Sequence, residues 1–282
     1  MAIKLIALDL DGTTLNSQKK LTEKTRDALI RAAESGVEII PVTGRCYHSL
    51  PEELMELGSH QYIRYAITSN GAEIRDIKNG EILYDDYINE SGTREIKQIL
   101  DKNSWMVEVY VKGRAFIERA DYERILKGEA EYRSRDYVLK TRIPVKGVKQ
   151  LLDVHRGKVE KVAVYFPSTS IVQNIKDEFE NVTSAELTAS GRNNLEFVAL
   201  GCNKAGTLKI MCGILGIKFS EVLAFGDSYN DLEMLKISGV SVAMENAEDI
   251  VKENADYITG QNDCDGVANL INGRLLRNNW NI

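Results

Sequence analysis

Long apolar runs are missing from this chain: none approaches the roughly 20 residues that a membrane-spanning helix needs. The apolar stretch at the amino terminus holds one lysine, Lys4, and is cut off by Asp9, so it does not read as a secretory leader. A basic excess is missing too. Against 36 Lys and Arg stand 42 Asp and Glu, for a formal net charge of -6, which argues against nucleic acid or another large polyanion as partner. A local basic pocket for a single phosphate stays compatible with that balance. The four cysteines, Cys46, Cys202, Cys212 and Cys264, form no CxxC pair and no zinc-like spacing with the three histidines. They read as free thiols of a reducing cytoplasm. Repeats and low-complexity segments are absent as well. What remains is an ordinary globular composition over 282 residues, 43% hydrophobic and 28% charged, enough for two domains. The expectation is a soluble cytoplasmic protein with no membrane and no nucleic-acid partner.

The first part of the chain alternates short apolar strands with amphipathic helices. Ile3 to Asp9 reads as a buried strand, and a helix follows over 22–35 with Thr22 as N-cap and Gly36 as its stop. A second buried strand covers 37–42, then a helix over 47–57 and a strand over 65–68. This rhythm predicts a doubly wound parallel sheet, a Rossmann-like α/β core. After Asn70-Gly71 it changes. A hairpin turns at Lys78-Asn79-Gly80, and a more charged α+β stretch runs to about Ser190. The βα rhythm is expected to return at Asn194-Leu200 and to continue through strands at 222–225, 241–243 and 257–259. The chain is therefore expected to divide into a core of residues 1–85 and 191–282, interrupted by an inserted domain of residues 86–190.

The segment Ile3-Lys-Leu-Ile-Ala-Leu-Asp-Leu-Asp-Gly-Thr-Thr-Leu15 carries the most chemistry. Asp9 and Asp11 are two apart at the end of a strand, so their side chains leave on the same side. Ligands of open α/β sheets bind at those carboxyl ends. Two neighbouring carboxylates repel and imply a cation.

Four other features fall at strand ends or helix starts. Val42-Thr-Gly-Arg45 offers a hydroxyl and turn amides suited to a phosphate oxygen, or is only a turn. Lys204 opens a helix and, set against buried acids, becomes their neutraliser. Gly226-Asp-Ser-Tyr-Asn-Asp231 places Asp227 and Asp231 about one helix start, where one of the two acids suffices as a cap. Thr68-Ser-Asn-Gly71 is either a plain turn or a substrate contact. Converging on one crevice, these groups give oxygen ligands without thiolates, which favours Mg²⁺ and suits phosphoryl transfer.

Asp9-Leu-Asp-Gly-Thr13, Thr43-Gly-Arg45, Lys204 and Gly226-Asp-Ser-Tyr-Asn-Asp231 resemble, in order, the four motifs of the haloacid dehalogenase superfamily. The pattern is most similar to its Cof-like phosphatases, which insert an α/β cap between the second and third motifs. Ser69-Asn-Gly71, Val242-Ala-Met-Glu-Asn-Ala247 and Asp265-Gly-Val267 resemble that branch as well. The resemblance implies a phosphatase acting on a small phosphorylated metabolite, a sugar phosphate or phosphorylated cofactor. By the same resemblance Asp9 is the nucleophile and Asp11 the acid and base. Thr43 and Lys204 hold the transferring phosphoryl, and Gly44, Arg45 and Asn230 join the substrate contacts. Mg²⁺ is held by Asp9, the main-chain carbonyl of Asp11, and Asp227, with Asp231 orienting them from behind. Thr14, Ala205 and Glu245 depart from the usual pattern without removing a catalytic group. A phosphomutase shares all four motifs, and a phospho-accepting signalling module shares the acids and lysine. For the remainder of the substrate, Arg45, His48, Asn70, Arg192, Asn193 and Asn194 are candidates, each with a loop or surface role as its alternative.

Overall fold

Leu5–Leu8 is buried along its whole length, as a strand covered on both faces must be. The computed structural model describes residues 2–191 and 193–275. Leu5–Leu8 pairs in parallel with Glu38–Pro41 on one side and Val222–Gly226 on the other. The sheet continues in parallel through Val240–Met244 to Tyr257–Thr259, giving five strands. Chain order reverses at Leu5–Leu8, since its next strand in sequence lies on one side and a strand some two hundred residues later on the other. That reversal is the switch point at which such sheets bind ligands.

Local signals set most of the connecting helices. Thr22 accepts from the Thr25 amide at 3.2 Å and caps helix Glu23–Glu34, which buries Ala28, Leu29 and Ala32. Gly36, at φ 88°, then turns the chain into the next strand. The helix expected over 47–57 is broken. Tyr47–Ser49 forms a single 3₁₀ turn, and the α-helix begins only after Pro51, as Glu52–Ser59. Tyr65–Thr68 touches the parallel sheet through a bridge from Ile67 to Val42, but its full ladder is antiparallel, to Glu73–Asp76. No helix among the described residues is long and apolar enough to cross a membrane.

The chain divides into two compact units. One contains the residues up to Gly44, Leu50–Tyr84, and the chain from Asn203 onward; the other contains Arg45–Ser49 and Asp85–Cys202. The second unit holds a six-stranded sheet in the order Glu186–Thr188, Asn194–Val198, Lys161–Tyr165, Met106–Val111, Arg114–Glu118, Arg142–Val145. Asn194–Val198 therefore does not reopen the parallel sheet, and the boundary expected near 191 falls at Asn203. Its sequence Asn-Leu-Glu-Phe-Val alternates polar with apolar, the pattern of an antiparallel strand with unlike faces.

Those faces differ along the whole sheet. Val107, Val109, Val162, Val164, Leu195 and Phe197 enter one apolar core. The alternate positions Glu108, Tyr110, Lys161 and Glu196 are polar and yet buried. Glu108 is paired with Arg133 and, at 3.0 Å, with Arg142. Burial pushes its pKa up, but the two guanidinium charges outweigh that and bring it down to about 2. A depressed carboxylate adds stability that is complete above its unfolded value of 4.5 and is lost as pH falls through about 2. Glu108→Gln, which strands two buried cations, is expected to cost about 3–5 kcal/mol by denaturant unfolding at pH 7. The gap from wild type should close on acidification below pH 4.5. Equal stability at pH 7 would mean that Arg133 and Arg142 are compensated without the Glu108 charge.

Candidate active site

Asp9 follows directly on Leu5–Leu8, and its amide donates to the Phe225 carbonyl of the neighbouring strand at 3.1 Å. The chain then curls back on itself, with the amides of Thr14 and Leu15 both reaching the Leu10 carbonyl. Gly12 is required there twice over. Its φ is 87°, and a Cβ would lie 2.5 Å from Asp227 Oδ2. The curl brings Thr14 Oγ1 to donate to the Asp9 carbonyl at 2.6 Å and Thr13 Oγ1 to donate to Asp227 Oδ1 at 2.7 Å. These two hydroxyls had no assigned role in the sequence. Their signal was two threonines immediately after an Asp-x-Asp-Gly turn.

Asp227 and Asp231 flank the end of strand Val222–Gly226. A Cβ on Gly226 would meet the Asp231 Cβ at 2.5 Å, so this close turn also needs glycine. Asp231 uses both oxygens. Oδ2 accepts from the amides of Asp227 and Ser228, each at 3.0 Å, and Oδ1 accepts from Lys204 Nζ at 2.6 Å. It thus caps its turn and holds the lysine together. Lys204 opens helix Lys204–Leu215, whose N-cap is Asn203. Its ammonium is 1% exposed and also donates to Asp9 Oδ1 at 2.5 Å.

Three acids and one ammonium are therefore gathered, with Lys204, Asp227 and Asp231 lying 195 or more positions after Asp9. One carboxylate oxygen from each of Asp9, Asp227 and Asp231 lies within 4.8 Å of the others. Burial holds Asp9 well above the usual carboxylate range; Lys204 opposes this, while Asp231 and Asp227 add to it. Burial and then the Asp231 charge push Asp227 up to about 6, against Thr13 and Lys204. Lys204 is shifted the other way. Burial disfavours its charge, but Asp231 and Asp9 outweigh that and raise it above the ordinary lysine value. With the acids ionised, one ammonium leaves two negative charges uncompensated. An all-oxygen donor set with that charge fits a hard divalent cation such as Mg²⁺.

The other candidate residues are placed less uniformly. Thr43 is 1% exposed; its amide donates to the Ile67 carbonyl at 2.9 Å, and its carbonyl accepts from the Asn70 amide at 3.0 Å. Gly44 closes its segment of the first unit, and Arg45 begins a segment of the second. There Arg45 donates to the Ser49 carbonyl and lies 4.6 Å from the Tyr137 ring centroid. His48 donates its amide to the Gly113 carbonyl. Asp11 stands outside the buried acid cluster, 36% exposed in its side chain and 3.0 Å from Lys19 Nζ. Asn230 donates to Asn70 Oδ1 at 3.3 Å. Asn193 and Asn194 lie at the start of a strand of the second unit, and Arg192 lies outside the described residues.

A family model described as haloacid dehalogenase-like hydrolase matches residues 6–271. A 5-amino-6-(5-phospho-D-ribitylamino)uracil phosphatase of Bacillus subtilis is 32% identical over 280 residues, covering 97% of this chain and 96% of its own. A second Bacillus subtilis phosphatase of the same description is 27% identical over 294 residues, covering 97% and 98%. Among solved structures, a haloacid dehalogenase-like hydrolase from Bacteroides thetaiotaomicron superposes with a TM-score of 0.80 at 28% identity, over 96% of this chain and 99% of that one.

Proposed function

Given that the chain belongs to the haloacid dehalogenase-like hydrolases and is a phosphatase, we propose that it hydrolyses a small phosphorylated metabolite through an aspartyl-phosphate on Asp9. The observation that carries this reading is Lys204, buried and bonded at once to Asp9 and Asp231 beside Asp227. An Asp9 oxygen attacks phosphorus and the bond to the leaving oxygen breaks. Asp11 gives that oxygen a proton, so the alcohol leaves neutral. Asp11 then takes a proton from water as the water oxygen attacks the aspartyl-phosphate. Phosphate departs and the Asp9 carboxylate is restored. Lys204 and the Thr43 hydroxyl hold the phosphoryl oxygens, with Gly44, Arg45 and Asn230 as further contacts. Asp231 keeps Lys204 aimed. Asp9, Asp227 and the main-chain carbonyl of Asp11 would hold Mg²⁺, which when bound supplies positive charge for the acids and the phosphoryl group.

In this reading the second unit is the cap that sets specificity, and the protein acts in the cytoplasm. Free Cys46, Cys202, Cys212 and Cys264 agree with a reducing compartment. The substrate class is a phosphomonoester on a sugar or polyol chain, or a phosphorylated cofactor precursor. Two relatives named for a phosphorylated ribitylamino uracil support it. The test is phosphate release from a panel of hexose and pentose phosphates, 5-amino-6-(5-phospho-D-ribitylamino)uracil and p-nitrophenyl phosphate. At least one metabolite should exceed p-nitrophenyl phosphate in kcat/KM by about tenfold or more, with turnover lost in EDTA. Isomerisation of a hexose phosphate that needs a bisphosphate activator, in place of phosphate release, would replace this reading by a mutase.

A further inference from the structure

Between strands Tyr65–Thr68 and Glu73–Asp76, three successive residues take left-handed backbone angles: Ser69 at φ 52°, Asn70 at 62° and Gly71 at 110°. Asparagine enters this region more readily than most residues, but Ser69 does so only when its surroundings enforce it. All three are buried. Their backbone and side-chain groups reach each of the other phosphoryl-contacting segments. The Asn70 amide donates to the Thr43 carbonyl at 3.0 Å. The Gly71 carbonyl accepts from Thr207 Oγ1 at 2.7 Å, one turn into the helix that Lys204 opens. A Cβ at Gly71 would fall 2.6 Å from the Asn203 carbonyl, so the N-cap of that helix is seated directly on this glycine. Finally, Asn70 Oδ1 accepts from Asn230 Nδ2 at 3.3 Å.

We infer that Asn70 is a positioning residue of the active site, acting through Asn230. A carboxamide oxygen only accepts, so it fixes which end of the Asn230 amide turns toward it. The second N–H of Asn230 is then left to donate to a phosphoryl oxygen. The strained loop serves this by tying Thr43, the Lys204 helix and Asn230 to one rigid point. The inference rests on the phosphatase reading above for the role of Asn230 and adds the residue that orients it.

The experiment compares Asn70→Gly, Asn70→Asp, Asn230→Ala and the double variant Asn70→Gly/Asn230→Ala. Glycine keeps the left-handed backbone and deletes only the side chain; aspartate keeps an acceptor in the same place. With p-nitrophenyl phosphate, Asn70→Gly and Asn230→Ala should each lower kcat/KM by about tenfold, and the double variant by little more than either. Asn70→Asp should retain more activity than Asn70→Gly, with each variant's melting temperature measured so that lost folding is told apart from lost positioning. Losses that multiply in the double variant, or an Asn70→Gly enzyme as active as wild type, overturn the inference while leaving the phosphatase reading intact. Calorimetric titration with inorganic phosphate and Mg²⁺ gives a readout independent of turnover. If wild type hydrolyses no phosphomonoester, the phosphatase reading fails, and phosphate affinities that fall without multiplying still support the role of Asn70. A wild type that binds no phosphate overturns both.

Discussion

Asp9→Asn is expected to abolish turnover while leaving the protein folded and, without divalent cations, at least as stable as wild type. The amide matches the carboxylate in size, and its oxygen can still accept from Lys204 Nζ, which lies 2.5 Å from Asp9 Oδ1. What it lacks is the anionic oxygen that attacks phosphorus, so kcat should fall by about 10⁴-fold or more. Stability moves the other way because Asp9 is held well above its ordinary pKa by burial, with Asp231 and Asp227 adding to the shift. A carboxyl whose folded pKa exceeds its unfolded value binds more protons folded than unfolded. It therefore withdraws stability as pH rises from 3.8 through the raised value. The neutral amide escapes that cost. Thermal melts in EDTA should show the variant gaining on wild type as pH rises above about 4. Mg²⁺-dependent turnover retained in the variant would remove Asp9 from its role as nucleophile.

Much of this site was legible because its pieces are local. An apolar run stopped by Asp9-Leu-Asp-Gly12 declares a strand end bearing acids, and Thr22 and Gly36 declare the limits of the next helix. Convergence was legible only through topology. Nothing in the spacing of Asp9 and Asp231 says they meet; the parallel pairing of Leu5–Leu8 with Val222–Gly226 does, and Lys204 joins them from the start of a helix outside that sheet. Contacts that depend on how a loop curls were not legible, which is why the Thr13 bond to Asp227 and the Asn70 bond to Asn230 emerge only in three dimensions. The second unit is legible only as a charged α+β insertion. Helix Arg135–Thr141 and strand Arg142–Val145 are among the elements that a charged α+β stretch does not declare. The strand lies at the sheet's edge and contains Pro144, a residue tolerated there and excluded from central strands, so its sequence carries little strand signal. Asn194–Val198 resembles a strand of the parallel sheet only until its polar alternation is considered, which marks an antiparallel strand with unlike faces.

Lys204→Met should damage stability and activity together, in contrast to Asp9→Asn. Its ammonium is bonded to Asp9 at 2.5 Å and Asp231 at 2.6 Å and is 1% exposed. Both anions hold it charged, raising it above the ordinary lysine value although burial alone would lower it. The stabilisation from a raised lysine is complete below its unfolded value of 10.5, so the whole of it is present at neutral pH. Methionine fills similar volume and leaves the two carboxylates facing each other without a counter-ion. At pH 8 without divalent cations the loss should be about 3–5 kcal/mol, as for other broken buried ion pairs. Acidification relieves it. Once Asp9 is protonated the repulsion it shares with Asp231 is gone, so the gap from wild type should narrow as pH falls from 8. Mg²⁺ should raise the melting temperature of the variant more than that of wild type, because the acids then have only the ion to neutralise them. Even in saturating Mg²⁺, kcat should remain on the order of 10²–10³-fold below wild type, since a charge aimed at the transferring phosphoryl is gone. If that gap in EDTA were independent of pH below 8, the lysine would be an incidental neighbour of Asp9 and Asp231, and its placement between them would carry no energetic weight.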